Sequence, residues 1–311
     1  MTSLSIVVPV YNEQEALPLF YGKLTVVLSQ LADVACEIIF VDDGSRDESL
    51  SAMKQLKAAD SRVRFFSFSR NFGKEAAIFA GLEHATGDYV AVMDADLQDP
   101  PELLPEMLHA LTQEGFDSAA ARRVTRKGEP LLRSLCARTF YKLINKISDA
   151  KLADGARDFR LMNRKFVNAL LCLPEYNRFT KGLYAWVGFK TKWLEFENAH
   201  RVAGETKWSM FGLFLYAMNG ITSFSTTPLS IATVAGSGFC FASFLGLLFV
   251  IIRKLMFGDP IRGWASTMCV LLCACGVQLL CTGLVGQYLA KAYLETKRRP
   301  LYILNETSDE N

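Results

Sequence analysis

The chain reads as an α/β protein whose mostly parallel sheet is followed by a pair of membrane-spanning helices. Three observations predict this. Short β-rich runs alternate with helical stretches through the first third of the chain, polar clusters stand at the ends of three of those runs, and two long uncharged apolar runs come late. A βαβα rhythm covers both faces of a sheet with helices and places ligands beyond the carboxyl ends of its strands.

Leu4 to Val10 is the first strand, closed by Pro9-Val10-Tyr11-Asn12-Glu13, and a helical stretch runs from about Glu15 to Leu31. Glu37 to Val41 is the second strand and ends at Asp42-Asp43-Gly44-Ser45. A helix from about Glu48 to Ala59, a strand at Val63 to Ser67 and a helix at Lys74 to Ala85 follow, with Gly87 as the stop signal. The apolar run Tyr89 to Met93 then reads as a buried strand that delivers Asp94-Ala95-Asp96-Leu97-Gln98-Asp99 before Pro100-Pro101.

Two carboxylates one residue apart at a strand end aim at roughly the same place once the chain turns. Hard divalent cations take oxygen ligands, and Mg²⁺ commonly pairs one or two carboxylates with phosphate oxygens of a substrate. A diphosphate is the natural guest. No Gly-x-x-x-x-Gly-Lys-Ser/Thr and no Gly-x-Gly-x-x-Gly after the first strand is present, which argues against a P-loop NTPase and a dinucleotide site. Without a glycine cradle, a metal at the Asp-x-Asp end must neutralise the diphosphate. Together on one sheet edge, the three polar clusters describe a nucleotide site.

Half the residues are hydrophobic, and the excess lies in Ile231 to Ile252 and Trp264 to Tyr288, neither of which carries a charge. Each exceeds the roughly 20 residues that cross a bilayer core as a helix. Gly236, Gly238 and Gly246 in the first, and Gly276, Gly283 and Gly286 in the second, suit close packing in lipid and invite homo-oligomers. The N-terminal apolar run is too short for a signal peptide. The first 225 or so residues are therefore expected in the cytoplasm, with the tail returned to the same side and Arg298-Arg299 placed positive-inside. Cys36, Cys136 and Cys172 are scattered, and Cys240, Cys269, Cys273, Cys275 and Cys281 lie in the apolar runs, a pattern of a reducing compartment rather than of disulfides or metal. A net charge of +2 offers no case for nucleic acid.

Pro130 to Ile147 interleaves Leu131, Leu135, Leu143 and Ile147 with Arg133, Arg138, Lys142 and Lys146, as a basic amphipathic helix at a membrane surface would. Trp208 to Phe224 is apolar and aromatic and reads as an interfacial helix.

An ordered set of motifs carries a resemblance. It comprises Val8-Pro9-Val10-Tyr11-Asn12-Glu13, Val41-Asp42-Asp43-Gly44-Ser45, Ser69-Arg70-Asn71-Phe72-Gly73-Lys74-Glu75, Asp94-Ala95-Asp96-Leu97-Gln98-Asp99-Pro100, Asp158-Phe159-Arg160-Leu161-Met162 and Gly204-Glu205-Thr206-Lys207-Trp208. With the two spans and the Glu295-to-Pro300 tail, the chain resembles the inverting glycosyltransferases of family 2. The likeness is to the polyprenyl-phosphate branch, which includes dolichol-phosphate mannose synthases and the bacterial undecaprenyl-phosphate (bactoprenol) glucosyltransferases of O-antigen modification.

The resemblance implies a GT-A fold, a nucleotide-diphosphosugar transferase fold, in a multi-pass protein of the bacterial inner membrane. It implies glucose transfer from UDP-glucose to undecaprenyl phosphate with inversion, for O-antigen or other surface polysaccharide. Pro9, Tyr11, Glu13, Asp42 and Asp43 would hold base and ribose. Asp94 would contact the ribose or sugar, and Asp96 and Gln98, with Asp94 beside them, would ligate Mg²⁺ or Mn²⁺. Asp158 stands where such enzymes often place a base, with Arg160 beside it. Because an acceptor phosphate is largely ionised at neutral pH and needs little deprotonation, Asp158 is equally suited to orienting the sugar or Arg160. Arg122, Arg133, Arg201 and Lys207 would bind acceptor phosphate. The implied organisation is a catalytic domain at 1–165, an acceptor-side and juxtamembrane helical region at 166–228, two spans at 229–290 and a cytoplasmic tail at 291–311. A downstream flippase and a periplasmic glucosyltransferase would use the product. The alternatives are another donor, GDP-mannose or a UDP-aminosugar, and a membrane protein that binds sugar nucleotide without turnover or flips a lipid-linked glucose. Spans without charge are poor material for a translocation path.

Overall fold

A computed structural model describes residues 2–31, 33–124, 155–196, 225–257 and 263–309. The amphipathic stretch at 130–147 and the interfacial stretch at 208–224 lie outside the described residues, as do Arg133, Arg201 and Lys207.

The alternating first third folds as its pattern predicts. β1 (Thr2–Val10), β2 (Val34–Asp42), β3 (Val63–Phe68) and β4 (Tyr89–Val92) are joined through α1 (Ala16–Ser29), α2 (Ser49–Ala59) and α3 (Lys74–His84). β1 and β2 start two or three residues earlier than their apolar runs suggest, because parallel pairing from Thr2↔Val34 onward recruits the flanking residues. α3 stops at His84, ahead of Gly87. That glycine instead approaches β1, where an added Cβ would lie 2.7 Å from the Ser5 nitrogen.

α4 (Leu104–Thr112), β5 (Ser118–Arg123), β6 (Ala156–Asn163), α5 (Arg164–Leu171), α6 (Thr180–Trp186) and β7 (Thr191–Phe196) complete the sheet domain, and β8 (Leu304–Thr307) joins it after the apolar helices. The sheet order is β7-β5-β6-β4-β1-β2-β3-β8. β1, β2, β3 and β4 are mutually parallel, β6 is antiparallel to β4 and β5, and β8 is antiparallel to β3. The α/β class with a mostly parallel sheet is thus as expected, and the sheet takes in strands on both sides of the expected boundary at 165.

Alternation along the strands divides the core into two layers. Leu4, Ile6 and Val8 of β1 face α1, α2 and α4 together with Ile38, Phe40 and Phe159. Val7 faces the opposite side with Ile39, Val41, Phe66 and Met162, under α3, α5 and α6. Strands buried on both faces read as continuous apolar runs, which is why β1 and β2 are legible at once.

α7 (Thr227–Phe257) and α8 (Trp264–Thr296) are 31 and 33 residues long and pack on each other. Thr227–Gly246 and Val270–Thr296 are long and apolar enough to cross a membrane, and their side chains are not covered by the rest of the chain. The far end of α8 is tied to the sheet domain. The Glu295 carboxylate accepts the backbone N–H groups of Tyr176 and Asn177 at 3.1 Å each.

Candidate active site

The carboxyl ends of β1, β2 and β4 bring the three polar clusters to one edge, and side chains stitch the first two together. Ser45 Oγ accepts the Asn12 N–H, Asn12 Oδ1 accepts the Arg46 N–H, and Ser49 Oγ accepts the Glu13 N–H at 2.9 Å. Asn12 sits at φ 54°, a left-handed conformation that asparagine tolerates. Pro9 lies in β1, with Tyr11 and Glu13 in this stitched loop.

Asp42 and Asp43 are both buried. Asp42 accepts the Ser45 N–H and the Ser67 hydroxyl. Asp43 accepts the N–H groups of Phe72 and Gly73 at 2.7 and 3.0 Å. Burial pushes the Asp43 carboxyl up to about 6, against the pull of those N–H groups. Both acids therefore brace the loops at this edge of the sheet. Gly44, at φ +66°, is required here, since a Cβ would come 2.4 Å from the Arg70 carbonyl carbon.

The Asp-x-Asp turn meets β6. Register pairs Val92 with Arg160 in an antiparallel ladder, so continuing the chain by two residues each way sets Asp94 opposite Asp158. Lys74, the first residue of α3, joins them. Its ammonium lies 2.6 Å from Asp94 and 2.5 Å from Asp158, and Lys181 stands 3.5 Å from Asp158 on the other oxygen. Burial works against the charge on Asp158, yet Lys181, Lys74 and Arg157 hold its carboxyl well below the usual range. Burial also opposes the Lys74 ammonium, but Asp158 and Asp94 keep it charged.

Asp96 is 9% exposed, and its Oδ1 accepts the Gln98 N–H at 3.1 Å across Leu97, which adopts φ 57°. A positive φ at a leucine is strained and survives only where surroundings impose it. Arg157 supplies part of that constraint. Its Nε donates to Asp99 at 2.6 Å and its Nη2 to Gln98 Oε1 at 3.1 Å. Asp99 is fully buried and pushed up to about 6 by that burial, and its second oxygen has no hydrogen-bond partner.

Arg160 is not brought to this acidic cluster. It shares a sheet face with Asp158 but is buried between the rings of Tyr184, at 4.5 Å, and Trp193, at 5.4 Å, and donates to Ser118 and Thr191 hydroxyls. Burial lowers its guanidinium to about 10. Arg122, in β5, lies 3.7 Å from Glu195 of β7. Lys74, Lys181 and Arg157 are the site residues that sequence reasoning left without a role. Lys74 stands within a quoted motif, but only the fold shows its charge meeting Asp94 and Asp158.

The donor set suits a divalent cation. Asp94, Asp96, Gln98 and the unpartnered Asp99 oxygen are all oxygen ligands on one turn, the set that hard cations prefer. Among the described residues no group of three or more His, Cys, Asp or Glu forms a self-contained metal cluster. A cation here would share its coordination with the oxygens of a bound diphosphate, as Mg²⁺ commonly does.

The profile of the family described as glycosyl transferase family 2 matches residues 5–171. An SfII prophage-derived bactoprenol glucosyl transferase of Shigella flexneri is 44% identical over 304 residues, covering 98% of each chain. A prophage bactoprenol glucosyl transferase homolog of Escherichia coli K12 is 42% identical over 301 residues, 97% of this chain and 98% of its own. Among solved structures, glucosyl-3-phosphoglycerate synthase of Mycobacterium tuberculosis, with Mn²⁺, UDP-glucose and phosphoglyceric acid, has a TM-score of 0.47 at 20% identity, covering 71% of this chain and 78% of that one.

Proposed function

Because the chain belongs to glycosyl transferase family 2, we propose that it moves glucose from UDP-glucose to undecaprenyl phosphate, inverting the anomeric carbon and releasing UDP. The observation that carries this reading is the meeting of Asp94 and Asp158 on the Lys74 ammonium, beside the turn that carries Asp96, in a domain fastened to two membrane-length helices. The names of the relatives support the lipid and the sugar.

In this mechanism Pro9, Tyr11, Glu13, Asp42 and Asp43 form the base and ribose edge. Asp94 faces the ribose or sugar. Asp96 and Gln98, with Asp94 beside them, would hold Mg²⁺ or Mn²⁺, which supplies charge neutralisation to the departing diphosphate. Asp158 is held ionised by two lysines, which suits orienting the sugar and stabilising positive charge at its anomeric carbon. Proton abstraction is a small task for it, since the acceptor oxygen already carries charge. Arg160 acts from behind by fixing β6. Arg122, with Arg133, Arg201 and Lys207, would attract acceptor phosphate. The catalytic domain faces the cytoplasm at the inner membrane of a bacterium. The protein assembles as a homo-oligomer, and a flippase and a periplasmic glucosyltransferase use the product. The boundaries 1–165, 166–228, 229–290 and 291–311 describe its functional regions.

The test is direct. Membranes carrying the protein receive undecaprenyl phosphate and a panel of radiolabelled sugar nucleotides, with and without EDTA. Label should enter the lipid from UDP-glucose alone and stop with EDTA. Label from GDP-mannose or a UDP-aminosugar would replace the donor, and no labelled lipid from any donor would leave only a binding protein.

A further inference from the structure

A cavity of about 430 Å³ opens between the start of α3, the loop before α6 and the last turns of α8. Arg70, Lys74, Arg178 and Lys291 line it, along with Tyr176 and Leu301. These cations come from separate parts of the chain, and the α3 N-terminus adds positive partial charge. Glu75, an acid on the same wall, turns its carboxylate to the Thr180 N–H at 2.8 Å and to the Thr180 hydroxyl. The Nε of Arg178 is buried with no hydrogen-bond partner, while its guanidinium carbon lies 4.6 Å from the Phe79 ring centroid.

Two features identify the occupant. Lys291 is the first charged residue after the uncharged run of α8, which ends at Ala290, so this wall of the cavity lies at the edge of the apolar segment. Lys74 forms another part of the wall, and its ammonium touches both Asp94 and Asp158. A ligand here would have its anionic group one side chain from the carboxylates assigned to the sugar, with an apolar body able to follow α8. Tyr176 and Leu301 add apolar surface of the kind an amphiphile needs.

We infer that this cavity receives the phosphate end of the polyprenyl phosphate acceptor, with Arg178 and Lys291 as its binding residues and Lys74 at the boundary with the sugar site. This rests on the transferase reading above and puts the bound phosphate in the cavity, leaving Arg122, Arg133, Arg201 and Lys207 to draw the acceptor toward the domain.

The experiment uses the full chain in nanodiscs and radiolabelled farnesyl phosphate as probe, first by equilibrium binding without donor, then by kinetics with UDP-glucose. Arg178→Gln and Lys291→Gln should each weaken farnesyl phosphate binding and raise its apparent KM roughly 10-fold or more, the loss expected for a charge-assisted hydrogen bond. The KM for UDP-glucose should stay within about twofold, and Lys291→Arg should restore most of the binding. A purely structural effect would lower melting temperature and leave that KM split unmoved.

Competition separates the sources of phosphate. Farnesol, inorganic phosphate and phosphatidylglycerol should displace the probe poorly. If inorganic phosphate or phosphatidylglycerol competes as well as farnesyl phosphate, the cavity is a general anion site and the inference fails. Unchanged acceptor binding and KM in folded Arg178→Gln and Lys291→Gln would also overturn it. Failure of the transferase reading looks different, because wild-type protein would then bind the probe, lose it in both variants and still glucosylate nothing.

Discussion

Asp94 and Asp158 share one ammonium, and that contact ties the turn after β4 to β6. With Lys74 and Lys181 beside it, Asp158 offers fixed negative charge, whereas Asp96 lies on the turn where a metal and diphosphate would meet. The two acids therefore have separable roles. Asp96→Asn should leave the fold intact, since the turn lies beyond the sheet, and should lower turnover by roughly three orders of magnitude. A lost metal contact is worth several kcal/mol and each ~1.4 kcal/mol is tenfold. EDTA should reproduce the loss, and full activity in either case would remove the metal from the mechanism. Asp43 gives a prediction of a different kind. Its carboxyl titrates near 3.9 in an unfolded chain and about 6 in the fold. Between those values the folded chain carries the extra proton, so this site's contribution is present at low pH and is lost as pH rises through about 6. The melting temperature of wild type minus that of Asp43→Asn should therefore fall between pH 4 and 6 and level off above. A difference that stays flat or rises would show that burial does not govern Asp43.

Among the elements, α3 is held against the sheet more tightly than any side chain could allow. A Cβ at Gly81 would lie 2.1 Å from Val7 Cγ1 in β1. Alanine favours a helix over glycine by about 1 kcal/mol, but overpacking a rigid core costs about 1–3 kcal/mol, so the clash should win. Gly81→Ala should lower stability in chemical denaturation, and adding Val7→Ala should recover part of the loss, with a coupling of about 1 kcal/mol or more. Additive effects would mean that the helix simply shifts outward. This packing also marks what sequence could reveal. β1 to β4 are legible because Ile6, Val7 and Val8, or Ile38, Ile39 and Phe40, are apolar without a break. β5 is not, since Ser118-Ala119-Ala120-Ala121 favours a helix and becomes a strand only by its neighbours on the sheet. β6 hides behind Arg157, Asp158 and Arg160, charges that a strand accepts here because one face leads to the site and to an aromatic box. The acids of the candidate site stand out in the sequence by motif and strand end. Their meeting does not, because it depends on the Val92↔Arg160 register and on where α3 begins.

At the scale of the whole molecule, the chain leaves the sheet domain, runs through both apolar helices and returns to close the sheet's far edge. β8 pairs with β3, Tyr302 stacks on Phe68 at 4.9 Å, and Glu306 meets Lys54 at 2.7 Å, while Arg64 is paired with Asp309 and Glu37. Removing everything after Ser225 would strip that edge along with the spans and leave β3 with unpaired backbone groups, a template for aggregation. The two crossing points are close, for the Tyr288 hydroxyl donates to the Ser225 carbonyl at 2.6 Å. From Tyr288 to Lys297 the helix advances only about 13 Å. A flexible Gly/Ser linker of about seven residues covers that distance, at about 5–6 Å times the square root of its length. A variant in which such a linker replaces residues 226–296 should therefore fold, stay monodisperse and bind UDP-glucose by calorimetry. The chain ended at Ser225 should melt several degrees lower and aggregate on warming. Equal melting temperatures would show that β8 is an ornament on the sheet, and loss of UDP-glucose binding by the folded linker variant would place part of the donor site in the spans. Transfer to long-chain acceptor in membranes should fall in the linker variant even with the donor site intact, because the anchor no longer concentrates the enzyme at its lipid substrate.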